Sequence, residues 1–183
     1  AFFMGLNPNN FKRFDNLISN NKFVNHLIVN VSTILSFHQK QKNNSIILNY
    51  DENSNNLFVW YQQLVAESLG KSSKGILPII SQVPKDNHSV MQLYLDGFKN
   101  NFFTFFNCKE KISNKINKNG LLSSHKYLGS HNVYEIILKQ KKATENVFIK
   151  KKIPFRSFEI KTRDEKTLGE LFCYFILETI LLG

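Results

Sequence analysis

Four short runs of β-forming residues alternate with segments of helical pattern, and this alternation limits the possible folds more than any other feature of the sequence. The runs are short and mostly apolar, which is typical of strands buried on both faces. Strands that alternate with helices form a parallel sheet with helices on both sides. We therefore predict an α/β fold with parallel strands at Ser45–Tyr50, Ile76–Ile80, Phe102–Cys108 and Phe155–Ile160.

Apolar residues at helical spacing predict helices before, between and after these strands. Arg156 and Glu159 lie within the last strand, and charged side chains there indicate an edge position. The polar stretch Lys109–His131 has no clear period, so we predict an irregular excursion. The predicted helices are Phe11–Ser19, Phe23–Gln39, a helix through Trp60 that ends at Gly70, Ser89–Leu95, Val133–Phe148 and Thr167–Leu182.

The 183 residues suffice for one domain with a sizeable core, and we expect a single domain over positions 1–183. A hydrophobic fraction of 42% and 17 Phe residues favour a folded chain over a disordered one. No apolar run is long enough to cross a membrane, and no signal segment is present. Cys108 and Cys173 each lie in an apolar run, which suits buried thiols in a reducing compartment. We expect a cytoplasmic protein without a membrane partner.

Both ends of the sequence are apolar. The sequence begins with the apolar run Ala1–Met4, and position 1 is not an initiator Met. The last predicted helix continues through Leu181 and Leu182 to Gly183 without a polar tail. Free-standing domains rarely expose such ends to water. We therefore expect the chain to be a fragment of a longer protein.

The formal charge of +10 raises the possibility of nucleic-acid binding. The basic residues are almost all Lys, since Arg13, Arg156 and Arg163 are the only arginines, whereas nucleic-acid recognition favours the forked guanidinium of Arg. The lysines are spread along the chain instead of forming one block. We expect no nucleic-acid partner, and the charge remains compatible with binding of anionic metabolites.

The stretch Trp60–Lys71 contains the first candidate site. Gln63 and Glu67 are one helical turn apart and share a face, on the shoulder of the apolar stripe that passes through Trp60. Gly70 is a residue type that often ends helices in the left-handed conformation. A carboxylate in the last turn, where a cleft wall would meet the core, would be partly buried, and this suits a general base. The alternative is a solvated Glu at a helix end.

The segment Gln82–Gln92 contains the second candidate, His88. This residue follows a strand and a loop and precedes a short helix that Asn87 or Ser89 could cap. Ligands of α/β proteins bind at the carboxyl ends of parallel strands, and an imidazole there can exchange a proton with a hydroxyl. The alternative is a capping or surface histidine.

These motifs together resemble the glucose-6-phosphate isomerase (phosphoglucose isomerase) family, in its shorter bacterial form. The resemblance covers nearly the whole chain, and its central block is specific. The motifs that carry it are Glu67–Lys71, His88, Leu93–Gly97, Thr167–Phe172 and Leu177–Ile180.

The resemblance implies the second sugar-isomerase (SIS) domain, a three-layer αβα sandwich around a parallel sheet. Glu67 would be the catalytic base that moves a proton between C1 and C2 of a hexose 6-phosphate through a cis-enediol. Gln63 would contact the substrate. His88 would assist ring opening in the active site of the neighbouring subunit of a homodimer. No cofactor and no metal is implied, and the sequence suggests no ligand cluster for one.

The resemblance also identifies family features that this chain does not contain. The Ser/Thr phosphate loop belongs to the first domain, an arginine that steadies the enediolate precedes this segment, and a late glutamine and lysine follow Gly183. We expect the chain by itself to be close to inactive.

Two other functions remain open. A non-catalytic SIS domain would bind a sugar phosphate for regulation and release it unchanged, with Glu67 as an ordinary helix residue. Nucleic-acid binding would show a steep dependence on salt concentration.

Overall fold

The structure, a computed structural model, describes residues 5–109 and 115–183. The apolar opening Ala1–Met4 and positions 110–114 of the predicted excursion lie outside these residues. Residues 115–131 of the excursion form 3-10 turns at Lys118–Gly120 and Ser123–Leu128 and one isolated bridge between Lys115 and Asn132.

The described residues contain β1 (Asn44–Asn49), β2 (Leu77–Gln82), β3 (Asn101–Cys108) and β4 (Phe155–Ile160). These strands form one sheet in the order β2-β1-β3-β4, and every neighbouring pair is parallel. The predicted parallel sheet is therefore confirmed. The predicted edge position of β4 is confirmed as well.

Helices α1 (Phe14–Ile18) and α2 (Asn21–Gln39) precede β1. Helices α3 (Asn55–Leu69), α4 (Met91–Asp96) and α5 (Val133–Lys150) connect the strands, and α6 (Glu165–Leu182) follows β4. The first predicted helix was placed too early, because Pro8–Asn10 forms a 3-10 turn and the α-helix begins at Phe14. Asn20 caps α2, since its Oδ1 accepts from the main-chain N–H groups of Lys22 and Phe23. This cap starts α2 two residues before the predicted Phe23.

The helices cover both faces of the sheet. On one face, α2, α3 and α6 pack around Ile47 of β1 and Phe106 of β3. On the other face, α4 and α5 pack around Phe103 and Phe105 of β3, with Phe148 of α5 at the centre. The three-layer αβα sandwich is therefore confirmed.

Strand β3 is buried along its whole length, which explains its nearly continuous apolar sequence. Phe148 meets Phe103 and Phe105 edge to face, with ring centroids 4.8 and 5.2 Å apart. On the opposite face, Phe106 meets Phe58 of α3 edge to face at 4.8 Å. Burial of each such ring contributes roughly 1.5–3 kcal/mol. The alternation of side chains along β3 thus binds both helical layers to one strand.

A buried ion pair joins the edge strand β4 to α6. The guanidinium of Arg156 forms a two-point pair with the fully buried carboxylate of Glu178, with Nη2 3.0 Å from Oε1, and its Nε donates to Thr104 Oγ1 at 3.0 Å. Tyr61 of α3 donates to Glu178 Oε1 at 3.5 Å. Burial and the nearby charge of Glu178 raise the pKa of the Tyr61 hydroxyl. The network therefore fixes α3 relative to α6 and the sheet.

We predict that Glu178→Gln lowers the free energy of unfolding by about 3–5 kcal/mol, because it leaves the Arg156 charge buried without its counterion. Urea denaturation monitored by circular dichroism measures this loss. Glu159→Gln is the matched control, because Glu159 lies on the same strand as Arg156 but pairs with Lys109 at the exposed surface. Equal effects of the two substitutions would contradict the role given to the buried pair.

Candidate active site

Helix α3 carries the first candidate residues. Its buried face consists of Leu57, Phe58, Tyr61 and Val65, while Trp60 and Leu64 are only partly buried. Ser68, which lies at helical spacing from Leu64, is exposed. The helix ends at Leu69, as the position of Gly70 predicted.

Gly70 ends the helix for a different reason from the one expected. Its φ of −79° is not left-handed. A Cβ at this position would lie only 2.5 Å from the main-chain oxygen of Ala66. Close approach of the backbone, and not a positive φ, therefore requires glycine here.

Gln63 and Glu67 lie side by side on the outer face of α3. Gln63 Nε2 donates to Glu67 Oε1 at 2.9 Å, which confirms that the two side chains share a face. Both residues are exposed, so the expected partial burial of Glu67 is wrong for this chain. The pattern of a helix gives the direction of a side chain, but it does not tell which other segments cover it.

Two hollows lie at the ends of α3 and α6. One has a volume of about 180 Å³ and is lined mainly by Leu64, Leu69, Ile176 and Ile180. The other, of about 560 Å³, is lined in part by Lys71 and Lys74. Ser68 lines both hollows, whereas neither Gln63 nor Glu67 does. The expected position of the candidate base in a cleft wall is therefore not found at these two hollows.

His88 lies in the connection after β2. The 3-10 turn Lys85–Asn87 ends at His88, and α4 begins three residues later, at Met91. The predicted caps Asn87 and Ser89 are wrong, because the N-cap is Val90 and it makes no side-chain cap hydrogen bond. The imidazole of His88 is exposed.

The structure places Glu67 and His88 at opposite ends of the sheet. Helix α3 starts after the carboxyl end of β1 and ends before the amino end of β2, so Glu67 lies near the amino ends of the strands. His88 follows the carboxyl end of β2. The 15 residues of α3 span about 22 Å. One copy of the chain thus does not bring these two side chains together.

A third hollow, missed by the sequence analysis, lies at the carboxyl ends of the strands between α3 and α6. Its volume is about 320 Å³, and its walls are apolar, with Trp60 against Phe172 edge to face at 4.6 Å. Arg163 borders it and pairs with Asp51 at 2.8 Å. The position of Trp60 on the apolar stripe of α3 was a sequence signal for this surface, but its partner Phe172 on α6 lies more than 100 residues later in the sequence.

Within residues 5–109 and 115–183, no group of three or more His, Cys, Asp or Glu side chains is arranged to hold a metal ion. None of the helices in the same ranges has the length and apolar character needed to cross a membrane.

Comparison with known proteins supports the resemblance drawn from the motifs. The probable glucose-6-phosphate isomerase of Methanococcus maripaludis is 31% identical over 166 residues, which cover 88% of this chain and 36% of that protein. The glucose-6-phosphate isomerase of Methanocaldococcus jannaschii is 31% identical over 148 residues, 80% of this chain and 36% of that protein. The chain is related to the glucose-6-phosphate isomerases.

Solved structures agree with this relationship at the level of the fold. A hypothetical protein of Thermus thermophilus superposes with a TM-score of 0.74 at 21% identity, over 82% of this chain and 38% of that one. The glucose-6-phosphate isomerase of Chlamydia trachomatis superposes with a TM-score of 0.57 at 14% identity, over 77% and 30%. No protein-family model matches the chain. The chain spans about a third of the length of the curated isomerases that it matches.

We predict that Gly70→Ala lowers the free energy of unfolding by about 1–3 kcal/mol, because the new Cβ would force the last turn of α3 away from its position. The urea midpoint measures this change. Gly120→Ala is the control, since a Cβ there meets no atom within 4 Å. The close approach of Gly70 to Ala66 would be refuted if both variants unfolded at the same midpoint.

Proposed function

We propose that this chain is the base-bearing segment of a glucose-6-phosphate isomerase, which interconverts glucose 6-phosphate and fructose 6-phosphate. The segment corresponds to the second SIS domain of the family. The observation that carries the proposal is the hydrogen-bonded pair Gln63–Glu67, which lies exposed at the end of α3 within the motif block that resembles the isomerases.

Glu67 is the proposed catalytic base. It removes the proton from one of the two carbons, C1 or C2, and returns it to the other, through a cis-enediol. Its Oε1 accepts from Gln63, so Oε2 is the oxygen that would take the proton. Gln63 holds the carboxylate in one orientation and contacts the sugar. This orientation matters because proton transfer requires the two groups to be within hydrogen-bond reach.

His88 is the proposed ring-opening residue, and it acts in the site of a second copy. The reason is geometric: Glu67 and His88 of one chain lie at opposite ends of the sheet, so a site that uses both takes them from two subunits. A two-fold homodimer supplies this arrangement twice, because each subunit gives its base to one site and its imidazole to the other.

Other segments of the isomerase would complete the site. The exposed face of Glu67 needs a second wall that excludes water during proton transfer. The substrate phosphate needs a binding loop, and the family resemblance implies that this loop belongs to the first domain. We therefore propose that the chain by itself is close to inactive, that the whole enzyme is cytoplasmic, and that it serves glycolysis and gluconeogenesis without a metal or a cofactor.

The exposure of Glu67 is also the observation that favours a second function. A non-catalytic SIS domain that binds a sugar phosphate for regulation needs no shielded base, and its ligand would leave unchanged. Substitution of Glu67 would then leave both the binding and the regulatory response intact.

We predict that Glu67→Gln lowers kcat of the full-length isomerase by about 10²–10⁴-fold, because the amide cannot accept the substrate proton. A coupled assay measures interconversion, and exchange of the C2 proton with deuterium measures the proton-transfer step. Glu52→Gln is the control, since Glu52 is an exposed carboxylate just before the start of α3, at the opposite end of that helix from Glu67. Full activity of Glu67→Gln would overturn the assignment of the base.

A further inference from the structure

Asp86 connects the segment that carries His88 to the end of β2. Its Oδ2 accepts from the main-chain N–H of Gln82 at 2.7 Å and from the hydroxyl of Ser81 at 3.1 Å. Ser81 and Gln82 are the last two residues of β2, and Ser81 is almost fully buried. The carboxylate thus links the turn Lys85–Asn87 to the end of the rigid strand β2.

The main chain of Asp86 holds the other side of the segment. Its carbonyl oxygen accepts from the N–H groups of Ser89 at 3.2 Å and Val90 at 3.0 Å, at the entry to α4. The Ser89 hydroxyl also donates to it at 3.4 Å. His88 lies between these contacts, and its own N–H donates to Lys85 O at 3.2 Å.

The carboxylate of Asp86 lies close to Tyr94 of α4, and burial together with the negative charge of Asp86 raises the pKa of the Tyr94 hydroxyl. Ser81, Gln82 and Tyr94 belong to the strand and the helix on either side of the loop. A short carboxylate that accepts from main-chain N–H groups is a common way to fix a turn.

We propose that Asp86 is a positioning residue that fixes the backbone at His88, and with it the place from which the imidazole reaches the sugar for ring opening. The proposal rests on the proposed function of His88 and adds a residue to it. Asp86 acts through the turn and does not itself touch the substrate. An imidazole on an exposed loop would otherwise sample many directions, whereas proton exchange with the sugar requires one.

A double-mutant cycle in the full-length isomerase tests this proposal. Asp86→Ala is expected to lower kcat/KM by about tenfold to a hundredfold, because displacement of a catalytic group by about 1 Å has effects of this size. In the His88→Ala background, Asp86→Ala should cause no further loss, since its effect passes through the imidazole. Asp86→Asn should restore most of the activity, because the amide oxygen can still accept from Ser81 and Gln82.

Hydrogen–deuterium exchange of the peptide Val83–Val90 supplies a readout that does not depend on activity. Exchange at His88 and Ser89 should accelerate in Asp86→Ala and stay unchanged in the control Lys85→Ala, which removes an exposed side chain from the same turn. Accelerated exchange with a non-additive cycle would support the proposal. Additive losses, or unchanged exchange in Asp86→Ala, would overturn it. An inactive parent enzyme, or full activity of His88→Ala, would overturn the proposed function separately, and the exchange experiment would then decide whether Asp86 orders the turn.

Discussion

The parallel connection from β1 through α3 to β2 is the constraint on which the rest of the structure depends. Two parallel neighbours require the chain to return along the sheet before the second strand starts, and α3 makes this return. Glu67 near the end of α3 and His88 after β2 are therefore separated by the length of a strand. They are close in sequence and distant in the fold.

The core holds this connection rigid. Phe58 and Tyr61 bind α3 to β3 and to the Arg156–Glu178 pair, so the helix has packing contacts and a buried polar network on one side. Its outer side carries Gln63 and Glu67 on the surface. A rigid helix with an exposed face suits the proposed site, which other segments of the proposed isomerase would close.

Much of the fold could be predicted because buried strands and amphipathic helices have distinct periods, and the apolar run of β3 is an example. The shared face of Gln63 and Glu67 followed from helical geometry alone. The exposure of Glu67 did not, because burial depends on segments distant in sequence. The capping role given to Asn87 was wrong, since the contacts of Asp86 with the end of β2 fix the turn instead. The local sequence pattern predicts the direction of a side chain, whereas tertiary contacts decide what surrounds it and which residue caps a helix.

The central claim is that Glu67 and His88 act together across two subunits. Mixing of inactive Glu67→Gln and inactive His88→Ala isomerase subunits tests it most directly, with dissociation and reassociation of the dimers. If each site combines the two residues from different chains, random reassociation restores about a quarter of the wild-type activity, because half of the dimers are mixed and each has one intact site. If both residues served the same site from one chain, the mixture would remain inactive, and this result would contradict the account.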